Sequence, residues 1–487
     1  MQTITIDPMT RLEGHGRIDI FLDDDGRVKN AYVRIPELRG FEAFCVGRPV
    51  EELPRITTRI CGVCPEAHHM ASAKACDAVY RVEIPPAARK LRELLYHVFY
   101  VADHAVHFYV LSGPDFVVGP QAPVAERNVF GLIRKVGLAA GRRVIDTRAR
   151  AQGVIKMIGG KTIHQVTSLP GGQSKGLTEE ERRQAEEVCA ELVEFGKFTL
   201  QILDDVVLRN PEYLDLIRSE AFSHQTHYLG LVDEQNRPAY YDGRIRVVDT
   251  SGREVARFAA EHYLDHLAEH VVPWSYLKFP YLKRLGWKGL VDGAESGVYR
   301  VAPLGRLNVA EGMSTPLAQE QYERMMDTLG GRPVHHTLAY HWARVIELVN
   351  AAERALELAR DPEIASPEVR RVPTATPSEG VGVVEAPRGT LIHHYVTDDR
   401  GIVQKANLIV GTTHNNAAIN LSVKKAAEAL IGPDGKAGEG VLNMIEMAFR
   451  AYDPCFGCAT HALPGQAAFE VTVRDASGRV LDQLRRP

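Results

Sequence analysis

No stretch of this sequence is long and apolar enough to span a bilayer. The best candidate, residues 94–118, is interrupted by His97, Asp103, His104, His107 and Asp115, and ionisable groups at that density are costly in hydrocarbon. The opening MQTITIDPMTRLEGHG lacks the basic start and apolar core of a secretory signal. The chain alone is therefore expected to be cytoplasmic, with any export signal or membrane anchor left to a partner. An excess of one charge is also missing. Lys and Arg number 58 against 62 Asp and Glu, a formal net charge of -4, dispersed and without a polybasic tail, which argues against a nucleic-acid surface. There is no Gly-rich nucleotide fingerprint. Cysteine is scarce, with 7 in 487 residues. Their number is odd, a chain of this size does not need a disulfide scaffold, and four of them in two CxxC pairs favour metal or redox chemistry over disulfide stapling.

What is present is an ordinary globular composition, 45% hydrophobic and 25% charged, in a chain long enough for two or three domains. Residues 3–7, 16–22 and 28–35 alternate and are punctuated by Asp23-Asp24-Asp25-Gly26, so a small antiparallel sheet is expected there. After Gly40 the pattern turns helical. Cys64-Pro65 reads as a helix start, and residues 86–109 carry apolar positions every third or fourth residue. Further helices are expected over 128–158, 179–208, 317–329, 337–361, 417–430 and 441–451. Residues 244–258 read as a hairpin around Ser251-Gly252, residues 390–409 as two strands around Asp398-Asp399-Arg400-Gly401, and 367–380 as a loop. No internal repeat is visible. The expected fold is mainly α with small β appendages (α+β). It comprises an N-terminal β segment (1–40), a helical body (41–461) with β insertions near 244–258 and 390–409, and a C-terminal extension (462–487).

Two CxxC pairs carry the chemistry: Cys61 with Cys64, and Cys455 with Cys458. Two-residue spacing lets both sulfurs of a pair reach one metal. Four thiolates suit zinc, an iron–sulfur cluster or nickel. On spacing alone, structural zinc or iron–sulfur binding stays open, with a thiol–disulfide switch as a minor option. Cys45, Cys76 and Cys189 form no second set suited to an electron relay.

The surroundings of these pairs narrow the choice. Residues 59–69 read RICGVCPEAHH and residues 453–461 read DPCFGCATH. Between and before them come RLEGHGR (11–17), RGFE (39–42), EAPRG (385–389) and LIVGTTHN (408–415). In this order, and across nearly the whole chain, the blocks resemble the large subunits of nickel–iron hydrogenases. In appearance they are most similar to the soluble, multimeric, F420-non-reducing type associated with heterodisulfide reductase.

The resemblance implies reversible heterolytic oxidation of H2 at a nickel–iron centre whose iron carries CO and CN ligands. Cys61 and Cys455 would be terminal nickel ligands, and Cys64 and Cys458 would bridge the two metals. Arg388 would hang over the open position, oriented by Asp103 and Asp453. Its free pKa makes it a poor equilibrium base, so electrostatics come first and proton acceptance second. Glu13 would relay protons from Cys455, with a pKa raised by neighbouring thiolates. His68 would tune a bridging sulfur, and Thr412 would donate to a cyanide. Glu42, His461 and a main-chain oxygen near Leu408 would hold Mg2+. Each residue has a plainer reading. Arg388 can be a solvated arginine, Glu13 a partner of Arg11 or Arg17, Asp103 or Asp453 a helix cap, and His68 a satisfied core histidine. One departure stands out: members of the family commonly have proline where this chain has Gly411, and glycine is expected to loosen that backbone.

By the same resemblance, residues 462–487 would be removed by a maturation endopeptidase cutting after His461, although some members of the family keep this region. Electrons would leave through a separate iron–sulfur small subunit, no cluster being expected in this chain. From there they would pass to heterodisulfide reductase-type, ferredoxin or flavoprotein partners. NAD(P)- or F420-coupled hydrogenases and a non-enzymatic H2 sensor are the alternatives. A cofactor-free relative from the respiratory quinone-reductase core is disfavoured because all four motif cysteines are present.

Overall fold

Three of the long helices pack together to set the frame, and two of them carry their own start signals. Pro86–Val106 opens on a proline, whose missing N–H falls where no intrahelical bond is needed. Glu179–Leu203 opens on a capping box between Thr178 and Glu181. Tyr340–Arg360 buries almost its entire first four turns and packs on both of the others. The computed structural model describes residues 2–460, 469–475 and 479–486, and it is predominantly helical with small sheets. No described helix is long and apolar enough to cross a membrane.

The helix Pro65–Val79 lies on an antiparallel sheet of Glu379–Ala386, Gly389–Thr397 and Val403–Ile409. Contact is so close that a Cβ on Gly382 would fall 2.1 Å from the Ala71 carbonyl oxygen; only glycine lets helix and strand backbones approach this far. A second sheet runs in the order Tyr299–Arg300, His227–Val232, Arg244–Val248, Glu254–Phe258. The N-terminal sheet joins Thr3–Ile6, Arg17–Leu22 and Val28–Arg34, and Phe469–Arg474 pairs with Val480–Arg486.

Several expected elements change on folding. The single helix expected over 128–158 is two, Val129–Val136 and Leu138–Gly159, broken at Gly137, whose φ of 87° ends the first. The helices expected over 86–109 and 179–208 end in π-helical turns, His107–Ser112 and Asp204–Leu208. The segment read as loop over 367–380 ends in the strand Glu379–Ala386, which was not among the expected elements. The strand His227–Val232 has no counterpart among the expected elements. It is buried on both faces, so it lacks the polar alternation that marks a half-exposed strand.

The interior is unusually charged: Arg92, Arg300, Arg306, Arg344 and Arg450 are all fully buried. Buried guanidinium groups are tolerated only when paired and hydrogen-bonded. Asp115, for instance, lies between Arg11 and Arg450.

Candidate metal centre

Each CxxC pair is placed by a local turn. Cys61 follows the 3-10 turn Thr57–Ile60, and Cys64 directly precedes the helix Pro65–Val79. Cys455 is bridged to Glu13 and precedes the short helix Phe456–Ala459. Arg39 ties the two segments together. Its Nη1 donates to the carbonyl of Ile60 at 2.5 Å and to that of Gly457 at 2.9 Å. Arg39 is visible in the RGFE block, but nothing local signals that its targets lie in two distant turns.

The four cysteines converge. Cys61 and Cys455 Sγ are 3.4 Å apart, as are Cys64 and Cys458 Sγ, and all four sulfurs lie within 4.8 Å of one another. These separations exceed a disulfide bond of about 2.05 Å, and all four side chains are buried and outside any disulfide. Burial pushes the Cys455 and Cys458 thiols well above their ordinary range. Hydrogen bonds from Cys455, Cys458 and Cys64 pull Cys61 well below it. Four sulfurs so placed share negative charge poorly among themselves, and a soft cation relieves that conflict. The donor set therefore fits a thiolate-ligated metal group.

The polar residues singled out in the sequence gather around the sulfurs. Arg388 stands in the two-residue turn between Glu379–Ala386 and Gly389–Thr397. It is buried, with Nη1 donating to Asp103 Oδ2 at 3.0 Å and Nη2 paired with Asp453 Oδ2 at 2.9 Å. Burial works against its charge, but Asp103 and Asp453 outweigh it and hold the guanidinium protonated well above its usual value. It is not a solvated arginine. Burial lifts the Asp453 carboxyl to about 7 against the pull of Arg388 and Arg344. A small cavity is lined by Arg388, Thr412, His68, Cys64, Cys455 and Cys458 among mostly apolar neighbours.

Glu13 does not pair with Arg11 or Arg17, which are engaged by Asp115 and Asp19. Its Oε2 accepts from Cys455 Sγ at 2.9 Å and from the Gly457 N–H at 3.0 Å. Its pKa is raised first by burial and then by the Cys61 charge, so desolvation outweighs the like-charge effect anticipated from sequence. Thr412 Oγ1 accepts the Cys455 N–H at 3.0 Å, and a hydroxyl that accepts in this way keeps its own proton to donate elsewhere. His68 Nδ1 lies 3.1 Å from His393 Nε2, and His393 Nδ1 lies 2.6 Å from the Tyr395 hydroxyl. Tyr395 donates in turn to Ser72 at 2.9 Å. Sequence reasoning missed His393 and Tyr395, although two polar residues at alternate strand positions share a face.

Glu42 and Leu408 are brought together, but through the Leu408 N–H, which donates to Glu42 Oε1 at 2.8 Å. His461, expected beside them, lies outside the described residues. Gly411 is not in loose packing. A Cβ there would lie 2.9 Å from Arg388 C and from Gly389 N. The backbone against it belongs to the Arg388 turn, so in this chain the missing side chain admits a close approach. Arg344 was also missed. It is buried on Tyr340–Arg360, donates to the Ala451 carbonyl at 3.1 Å and lies near Asp453. Its signal was a charge, three residues from Glu347, in the mostly apolar first half of a helix that also carries Glu353, Arg354, Glu357 and Arg360.

Comparison with known proteins matches residues 39–128 and 230–461 to the model of the nickel-dependent hydrogenases, and residues 3–38 to a HoxL-like segment. The chain belongs to the nickel-dependent hydrogenase family. It is 52% identical over 485 residues to an F420-non-reducing hydrogenase iron-sulfur subunit of Archaeoglobus profundus, covering 100% of both chains. It is 41% identical to the NAD-reducing hydrogenase HoxS subunit beta of Cupriavidus necator, covering 99% of each. Among solved structures, an NAD+-reducing [NiFe]-hydrogenase in the H2-reduced state matches with a TM-score of 0.88 at 39% identity, over 95% of this chain and 100% of that one. The mainly helical large-subunit architecture is thus the family's own.

Proposed function

We propose that this chain is the catalytic subunit of an enzyme that reversibly splits dihydrogen into protons and electrons. The observation that carries the reading is the convergence of four buried cysteines beneath a doubly paired guanidinium, in a chain of the nickel-dependent hydrogenase family. Cys61 and Cys455 would hold nickel, and Cys64 and Cys458 would bridge it to an iron carrying CO and CN. When bound, that group supplies the electron-accepting centre at which dihydrogen is polarised.

The chain's own residues then separate the proton from the electrons. Arg388, held cationic by Asp103 and Asp453, presents fixed positive charge to the cavity and stabilises developing negative charge without reorganising. The Cys455 sulfur is the first proton acceptor, and Glu13 Oε2 at 2.9 Å removes the proton outward. A raised Glu13 pKa brings that carboxyl nearer the range in which both uptake and release are easy. His68, backed by His393 and Tyr395, tunes the charge on the bridging sulfurs, and the free proton of Thr412 suits a cyanide nitrogen. Apolar cavity walls exclude water from the reacting position. Glu42, with His461 and the Leu408 main chain, would hold Mg2+ against the C-terminal segment. Cleavage after His461 by an endopeptidase would complete maturation.

Electrons would leave through an iron–sulfur partner protein. The F420-non-reducing name of the 52% identical relative argues against F420 as the onward acceptor, and the resemblance of the motif blocks favours heterodisulfide reductase or ferredoxin. The NAD-reducing relative and solved structure support a second reading, in which a flavoprotein partner passes electrons to NAD. The test is infrared spectroscopy of the purified native complex under H2 and under argon, with metal analysis. CO and CN bands that shift with the gas, alongside nickel and iron, are expected. Zinc without nickel or iron would overturn the reading, and redox-responsive bands without sustained H2 turnover would assign a sensor instead.

A further inference from the structure

Behind the Arg388 turn lies a second, fully buried guanidinium that the proposed proton path does not use. Arg306, on the helix Ala302–Val309, has no exposed surface, and every one of its five N–H groups has a defined acceptor. Nε and Nη2 donate to Glu347 Oε1 and Oε2 at 2.5 and 2.7 Å. Nη1 donates to Glu385 Oε2 at 2.7 Å and to the Ala386 carbonyl at 2.8 Å, and Nη2 also reaches the Pro387 carbonyl at 3.2 Å. Ala386 and Pro387 are the two residues immediately before Arg388. The guanidinium therefore grips the backbone on which Arg388 is mounted.

The same network reaches Arg388 from its other end. Glu347 Oε2 is 3.1 Å from His104 Nε2. His104 neighbours Asp103 on the helix Pro86–Val106, and Asp103 accepts from Arg388 Nη1. Backbone and carboxylate partner of Arg388 are thus both referred to one carboxylate, Glu347, and the path closes on itself. The turn is braced further: Tyr96 and Tyr100 donate to the Glu385 carbonyl at 2.5 and 2.6 Å, and Glu385 Oε1 accepts from Leu231 N and Thr390 Oγ1. A plain stabilising role explains this poorly, because buried ion pairs are often replaceable by apolar groups without loss of stability. What an apolar replacement cannot do is fix two carbonyls and two carboxylates at once.

We propose that Arg306 is a positioning residue for the reaction with dihydrogen: with Glu347 as its anchor, it sets the height and tilt of the Arg388 guanidinium over the sulfur cluster. The proposal rests on Arg388 acting at the metal centre. A planar five-donor fork is required. A lysine at the same place keeps the charge but has three donors on a single atom and cannot span Glu347 and both carbonyls.

The test uses the holoenzyme with its iron–sulfur partner, comparing wild type, Arg306→Lys, Arg388→Lys, the double variant and Glu347→Gln. Nickel and iron content, the CO and CN bands, and kcat and KM for H2 with an artificial dye are measured on each. Arg306→Lys is expected to keep its metals and bands, to hold KM within about twofold and to lose kcat by about 10- to 100-fold, the scale of an ångström-size misplacement. The double variant should be no slower than Arg388→Lys alone, since residues acting through one another are not additive. Glu347→Gln, which keeps the shape and one acceptor, should show the same kcat-only loss in milder form. A metal-replete Arg306→Lys enzyme with wild-type kcat, or losses that multiply in the double variant, would overturn the proposal. So would loss of metal in both Arg306→Lys and Glu347→Gln, which assigns the network to folding alone. A wild-type complex without nickel, iron or H2 turnover would instead overturn the functional reading beneath it.

Discussion

Replacing Glu13 by glutamine isolates proton transfer from everything else the residue does. Glu13 accepts two hydrogen bonds on one oxygen, from Cys455 Sγ and from the Gly457 N–H. An amide carbonyl in the same place can accept both, so Glu13→Gln leaves the turn around Cys455 and Cys458 in position. What disappears is the base: a carboxylate can take the thiol proton, whereas an amide cannot. Loss of one positioned acid–base group typically slows a reaction about 10²- to 10⁴-fold, equivalent to about 3–5.5 kcal/mol of barrier. The variant is therefore expected to contain wild-type nickel and iron and to show the same infrared bands under argon, while H2-driven dye reduction falls by at least two decades. Glu13→Asp, which keeps the base but shortens its reach, should fall between the two. The reasoning fails if metal-replete Glu13→Gln retains more than about a third of wild-type turnover, since one-third is under 1 kcal/mol of barrier; protons would then leave the cluster by another route.

Two further outcomes follow from the packing. Gly411→Ala would set a Cβ 2.9 Å from the backbone on either side of the Arg388–Gly389 peptide, so the turn must move. A cost of about 1–3 kcal/mol in stability is expected, read as a lower thermal midpoint, together with a fall in kcat; a variant unchanged in both would show that the turn yields freely. His97 is buried without a partner on Nδ1, and burial, with a smaller push from Arg354, lowers its pKa to about 3. Its folded pKa thus lies below the unfolded value near 6.5, the unfolded chain binds more protons between the two, and stability is lost as pH falls through that window. From about pH 6.5 to about pH 5 this one group should account for about 1–2 kcal/mol of acid destabilisation, and His97→Phe should show a correspondingly flatter decline in thermal midpoint. An equal decline in both proteins would refute the assignment.

The sequence by itself determined whatever depends on neighbours along the chain. Turn residues such as Asp23 to Gly26, the start of Pro65–Val79 at a proline, and the 244–258 hairpin were readable because short-range sterics and hydrogen bonds decide them. The four cysteines were readable as ligands because CxxC spacing puts two sulfurs within reach of one metal, and the accompanying motifs named the family. Elements whose signal is tertiary were not. His227–Val232 lost its alternation by being buried on both faces, and the break at Gly137 was hidden inside an apolar pattern that runs on past it. Only the tertiary structure decided which carboxylate meets which guanidinium. Glu13 could have paired with Arg11 by sequence, yet Arg11 is taken by Asp115, about a hundred residues away, and Glu13 is left for Cys455. Arg39, Arg306, Arg344 and Glu347 each carry a buried or bridging role that composition presents as ordinary charge. The physical reason is desolvation: a charge withdrawn from water must find its partners in whatever segments the fold has packed around it, and those segments are remote in sequence.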